Sequence, residues 1–78
     1  MDMRDLETEI QHLIGFGTIV TSGVTARGPH LDFNSGRRLL RIWIPRTGID
    51  TKKVAAIVKE YMTDSHEAAY KEIDYEAS

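Results

Sequence analysis

Arg37-Arg38-Leu39-Leu40-Arg41-Ile42-Trp43-Ile44-Pro45-Arg46 is the stretch on which the fold turns. In an extended chain, alternate side chains point to opposite sides. One side then carries Arg38, Leu40, Ile42 and Ile44, and reads as a core face. The other carries Arg37, Leu39, Arg41 and Trp43, which mixes cations with a large aromatic in the manner of a contact surface. The alternation and the β-branched and aromatic content predict a strand. Pro45, which has no N–H, ends its pairing capacity.

Upstream, Asn34-Ser35-Gly36 predicts a short hairpin loop, with Gly36 able to take positive φ. His30-Leu31-Asp32-Phe33 alternates before it, with Leu31 and Phe33 on one side. Arg27-Gly28-Pro29 reads as a turn. The β-branched run Phe16–Thr21 predicts a further strand that Val24-Thr25-Ala26 continues, with Gly23 marking a bulge or bend. The chain starts as an amphipathic helix, with Met3, Leu6, Ile10, Leu13 and Ile14 at helical spacing. Asp2 or Asp5 caps its start, and Gly15 suits the left-handed position after its last turn.

Downstream, Asp50 is a good N-cap, and Ile49 and Val54 are spaced as a hydrophobic staple. Val54, Ile57, Val58, Tyr61 and Met62 form one helical stripe. Two continuations fit beyond Thr63. Asp64 and Glu67 have the spacing of a capping box that starts a third helix bearing His66, Ala69, Tyr70 and Ile73. A single helix from about residue 51 to 75 fits the same positions. The expected fold is one α+β domain spanning residues 1–78. It consists of a helix, a three-stranded antiparallel meander, and one long or two short C-terminal helices on one face. Its core comprises Leu6, Ile10, Leu13, Val20, Leu40, Ile42, Ile44, Val54, Ile57, Val58 and Tyr61, leaving the second face of the sheet open.

The chain has 78 residues and no cysteine. That length is one domain, and such a chain buries only about 60% of its unfolded surface. Disulfides and thiolate metal sites are excluded, which fits an intracellular protein. Met1–Asp5 is acidic where a signal peptide is basic and then apolar, and no apolar run reaches the roughly 18 residues that cross a bilayer. A soluble cytoplasmic protein with no membrane partner is expected. The net charge of −2 is strongly segregated. Arg27, Arg37, Arg38, Arg41, Arg46, Lys52 and Lys53 face only Asp32 and Asp50 in the middle of the chain, while both ends are acidic. Such asymmetry marks either a site for an acidic partner or acidic segments packed beside a basic strand.

Catalytic signals are weak. Asp64-Ser65-His66 holds the residue types of a hydrolase triad, but neighbours on a helix point about 100° apart and cannot form a relay. Gly15-Phe16-Gly17 follows a helix and lacks the third glycine of a dinucleotide site. His12, His30 and His66, even with Asp32 or Glu67, have no short-range ligand spacing. The sequence predicts a non-enzymatic protein with no metal and no cofactor. The arginine strand carries the functional signal, and three arrangements satisfy it. The C-terminal segment covers Trp43, with Tyr70 and Ile73 on the ring and Glu67 or Glu72 beside the arginines. Alternatively, Arg37, Leu39, Arg41, Trp43 and Arg46 contact a protein partner or a second copy. Finally, the face binds nucleic acid, against which the overall negative charge counts.

The order helix, three strands, helix resembles the double-stranded RNA-binding domain. Gly28-Pro29-His30 is similar to that family's Gly-Pro-x-His loop, shortened by one residue. Lys52-Lys53-Val54-Ala55 is similar to its Lys-Lys-x-Ala-Lys run. The resemblance implies that Gly28, Pro29 and His30 approach a minor groove, that Lys52 and Lys53 hold phosphates, and that Glu7 or Gln11 reaches 2′-hydroxyls. Ala56 stands where the third lysine is expected, and Lys59 and Glu60 where paired alanines belong. The layout is also similar to small phage-encoded inhibitors, some anti-CRISPR proteins among them, which offer carboxylates where a nuclease expects DNA. Glu60, Asp64, Glu67, Glu72, Asp74 and Glu76 are the matching acids.

Overall fold

The computed structural model describes residues 3–63 and 67–77. Helix α1 (Met3–Ile14) leads into β1 (Ile19–Thr25), β2 (Gly28–Asn34) and β3 (Arg38–Trp43). Helix α2 (Thr51–Thr63), β4 (Ala69–Asp74) and a 3-10 turn at Tyr75–Ala77 follow. The strands stand in the order β1-β2-β3-β4, the first three antiparallel and β4 parallel to β3. The domain is α+β, as the patterning predicts, with the helix, the meander and the second helix in the expected order.

The end of the chain corrects the expectation. Residues 69–74 are a strand, neither a third helix nor the continuation of α2. Ala69 and Ile73 are four apart, which satisfies helical spacing. In a strand they also share a face, and Ile73 lies opposite Ile42 and packs on the core. Parallel strands need a crossover, and α2 is that connection. Asp2 and Asp64-Ser65-His66, on which the capping and triad readings rest, lie outside the described residues.

Both helices pack on one face of the sheet. Ile10 from α1 and Val54 and Val58 from α2 meet Val20, Leu31, Phe33, Leu40 and Ile42 in one buried cluster. Leu31 and Phe33 join the expected core with no exposed surface. Leu13 is only half-buried, because it sits at the flank of the α1 stripe. Each fully buried large side chain contributes about 1.5–3 kcal/mol of transfer free energy.

Local chemistry fixes the helix ends. Asp50 Oδ1 accepts the Lys52 N–H at 3.0 Å, and Ile49 packs on the core that holds Val54. The Asp50 N–H in turn donates to the Tyr75 hydroxyl at 2.9 Å. At the other end of α2, Arg38 donates to the Tyr61 carbonyl at 3.0 Å and stacks on the Tyr61 ring, placing a cation at the negative end of the dipole. Gly15 takes φ +76 and its N–H reaches the Gln11 carbonyl, which closes α1. The Gln11 amide donates to the Gly15 and Thr18 carbonyls and accepts the Val20 N–H, so one side chain ties α1 to the start of β1.

Gly23 marks no bulge: the β1–β2 register runs unbroken through it. A Cβ there would lie 3.0 Å from Cε1 and Nε2 of His30, so the glycine makes room for that ring.

Candidate functional site: the open face of the sheet

Strand alternation sends Leu39, Arg41 and Trp43 away from the helices, as the opening stretch predicts. Their cross-strand partners define three rows on the helix-free face. The first is Ile19, Asn34, Leu39 and Tyr70; the second is Thr21, Asp32, Arg41 and Glu72; the third is Gly23, His30, Trp43 and Asp74.

The middle row is an ion-pair network. Arg41 donates to both oxygens of Asp32, Nε to Oδ1 at 2.7 Å and Nη2 to Oδ2 at 3.0 Å. This fork holds the Asp32 carboxyl below its ordinary pKa of 3.8, assisted by the charge of His30, and raises the Arg41 guanidinium. His30 Nδ1 sits 3.2 Å from Asp32 Oδ1 but off line, without a hydrogen bond.

Trp43 is the centre of the third row. Only 8% of it is exposed, although no helix covers that face. Side chains cover it instead. The Arg27 guanidinium lies 4.4 Å from its ring centroid and Arg41 lies at 5.5 Å. His30 meets it edge-on at 5.2 Å, and its indole N–H donates to Glu72 Oε1 at 3.1 Å. The C-terminal segment contributes to the cover through Glu72 alone, on the indole N–H, while Ile73, expected on the ring, turns to the helix side and packs on the core, and Tyr70 lies in the first row. The rest of the cover is Arg27, Arg41 and His30. Tyr70 is 54% exposed at the end of the first row. Its phenol is raised, chiefly by partial desolvation and also by hydrogen bonding to Glu72. Ile19 is 66% exposed at the opposite end of that row, with exposed Asn34 and half-buried Leu39 between them.

Of the expected contact residues, Leu39, Arg41 and Trp43 converge on this face. Arg37 is exposed just before β3, and Arg46 is exposed in the Pro45–Gly48 turn beyond it. Of the alternative set, Gly28 and Pro29 open β2, while His30 is only 6% exposed beneath the Arg27–Trp43 stack. Lys52 and Lys53 are exposed in the first turn of α2, with the Lys53 ammonium 4.6 Å from the Tyr75 ring. The β1–β2 turn and this helix start share one end of the sheet, since β3 finishes opposite His30 and then runs into α2. The acids are divided: Glu60 is on α2, Glu72 is tied to Trp43, and Asp74 and Glu76 lie at the end of the chain.

Arg27 is a site residue that the sequence reading did not nominate; it named Asp32 only as a metal ligand, and Tyr70 and Glu72 only as cover for Trp43 and its arginines or, for Glu72, as one of the acids. The expected loop misleads for Asp32: a loop of Asn34-Ser35-Gly36 sets Asp32 opposite Arg38. The turn instead centres on Gly36-Arg37, with the Ser35 N–H donating to the Arg38 carbonyl, Asn34 pairs with Leu39, and Asp32 lies opposite Arg41. Nothing local marks the places of Glu72 and Tyr70, because the parallel pairing of β4 is non-local.

The cluster commits Asp32 to Arg41 and covers His30, so it offers solvent guanidinium groups and apolar side chains. No group of three or more metal-ligating side chains converges among the described residues. His12 lies on α1, across the sheet from His30. No helix among the described residues is long and apolar enough to cross a membrane. The chain matches no protein-family model, no curated protein and no solved structure.

Proposed function

We propose that this chain is a non-enzymatic binding module whose helix-free sheet face contacts a protein partner. One observation carries the reading: two arginines are held in place beside a row that exposes Tyr70 and Ile19. Arg27 is stacked on Trp43, Arg41 is forked to Asp32, and Leu39, Tyr70 and Ile19 flank them. Arginines held this way lose little entropy on binding, and an aromatic–arginine surface is the usual composition of an interface hot spot. Trp43 acts as the floor of the stack, and Arg27, Arg41, Leu39 and Tyr70 make the contact. The test is a comparative pull-down with the wild type, Arg27→Glu/Tyr70→Asp, and the helix control Lys59→Glu. The face variant is expected to lose a partner that the control retains. Identical partner sets for all three would sink the reading.

A second reading, duplex RNA binding, is favoured by the shared position of the β1–β2 turn and of Lys52 and Lys53 at one end of the sheet. In it the two lysines contact phosphates and Gly28 and Pro29 approach the backbone. Titration with a short RNA duplex at low and high salt separates the two, since phosphate contacts are strongest at low salt. Absence of binding at low salt eliminates it.

A further inference from the structure

His30 is the one buried polar side chain among the described residues, at 6% exposed, and it makes no contact with a partner in the reading above. Gly23 makes room for Cε1 and Nε2 of its ring, and the Trp43 indole stands edge-on to it. The ring is wedged between them. Its Nδ1 is buried with no hydrogen-bond partner, 3.2 Å from Asp32 Oδ1. A buried polar atom without a partner costs stability, and native folds keep few of them.

Imidazole is the side chain whose ordinary titration falls between about pH 5 and pH 8. A proton on His30 brings a charge into a crowded place. Arg27, Arg41 and His30 all lie within 5.5 Å of the Trp43 ring centroid. Asp32 sits at contact but is forked to Arg41, and Glu72 accepts the indole N–H. Asp74 stands opposite Trp43 on β4. The facing strand β1 carries no charge. Asp32, and more remotely Glu72 and Asp74, attract the added charge, while Arg27 and Arg41 repel it.

Which group yields depends on how each is held. His30 is confined by Gly23 and Trp43. Arg41 keeps two hydrogen bonds to Asp32. Arg27 lies in the Ala26-Arg27 turn between β1 and β2, is exposed, and has its guanidinium held by the ring face. An exposed cation on an aromatic face is the weakest of these attachments.

We propose that His30 is a proton-operated release for Arg27: when the imidazole charges, the Asp32 carboxylate turns to its Nδ1–H, and Arg27 leaves the Trp43 ring for solvent. The face then has two states, with Arg27 stacked at neutral pH and the indole open in mild acid. Where this face is the contact surface, as proposed above, the stacked state holds the partner and the open state releases it.

Acrylamide quenching of the full chain from about pH 8 to about pH 5 tests this without a partner, because Trp43 is the only tryptophan. Circular dichroism at both ends checks folding. The wild type is expected to show at least about a twofold rise in the quenching constant, following the curve of one proton. His30→Gln, whose amide does not titrate, should lose the step, and His12→Gln/His66→Gln should keep it. Arg27→Gln, a change at an exposed turn, should be strongly quenched at every pH with no step. A wild-type constant that does not change with pH overturns the proposal. A step that survives in Arg27→Gln, or in folded His30→Gln, overturns it as well. With no partner in the sample, a failed pull-down leaves this result standing, and a flat profile here leaves the contact reading standing.

Discussion

The two faces of the sheet are built on the same strand pairs. Phe33 opposite Leu40 and Leu31 opposite Ile42 turn toward the helices, while Asp32 opposite Arg41 and His30 opposite Trp43 turn away. On the helix side every one of those side chains is at most 1% exposed, and cohesion comes from apolar area removed from water. On the open side cohesion comes from directed contacts: a forked ion pair, an indole hydrogen bond and stacked guanidinium groups. The first kind of cohesion is insensitive to pH and tolerant of orientation. The second depends on ionisation and on each partner keeping its place. The face without a covering layer is therefore held by side chains that each fix a neighbour's position.

The sharpest way to break this contrast is to remove one residue from the helix side. Phe33→Ala should cost about 3–5 kcal/mol, because a fully enclosed ring leaves a cavity that α1 and α2 cannot collapse into. A small domain has a total stability of only about 5–10 kcal/mol, so the urea midpoint should fall by a large fraction. Trp43→Ala, on the open side, should cost less, about 2–3 kcal/mol, since Arg27 and Arg41 can settle into the space. Equal midpoints for the two variants would show that the open face is as rigidly packed as the core. Gln11→Ala comes next. It removes one acceptor and two donor contacts at the α1–β1 junction and should cost about 1–2 kcal/mol by urea unfolding.

The sequence made the two faces legible where the pairing is local. Leu40 and Ile42 against Arg41 and Trp43 follow from strand alternation alone, but which residues of β2 meet them does not: the expected loop Asn34-Ser35-Gly36 would set Phe33 opposite Arg37, and the turn at Gly36-Arg37 sets it opposite Leu40. The start of α2 was equally legible from Asp50, Ile49 and Val54. What could not be read is what arrives from a distance. Tyr70-Lys71-Glu72-Ile73 carries neither a clean strand alternation nor a full helical stripe, because an edge strand on a two-layer sheet buries little. Its identity comes from hydrogen bonding to β3. Arg27 was missed for a related reason: it sits in a turn, and only the register of β1 with β2 brings it over Trp43. The expectation that the C-terminal segment covers Trp43 with Tyr70 and Ile73 named the wrong cover: Arg27, Arg41 and His30 surround the ring, and only Glu72 comes from that segment.

A smaller effect tests that arrangement directly. Trp43 is the only tryptophan, so its emission reports on the stack. Arg27→Ala should change stability by no more than about 0.5 kcal/mol, since Arg27 is exposed. It should nevertheless shift the emission to the red and raise acrylamide quenching, because one side of the ring loses its cover. Unchanged quenching would mean that His30, Arg41 and Glu72 suffice to bury the indole.

The smallest effect, and the one that separates the faces by mechanism, is the acid response of Asp32. Its folded pKa lies below the ordinary 3.8 because Arg41 donates to both of its oxygens. The unfolded chain therefore binds the proton first as pH falls, and stability rises with pH across that window. The contribution is fully present above the unfolded carboxylate value and disappears as pH drops through the lower folded value. Asp32→Asn removes it. The stability difference between wild type and variant should shrink as pH falls from about 5 toward about 2. Urea unfolding at several pH values reads this directly, and moderate salt should alter it little because the pair is partly shielded. A difference that stays constant down to the lowest pH would mean that the fork contributes nothing ionic, and that the open face, like the helix face, is held by packing.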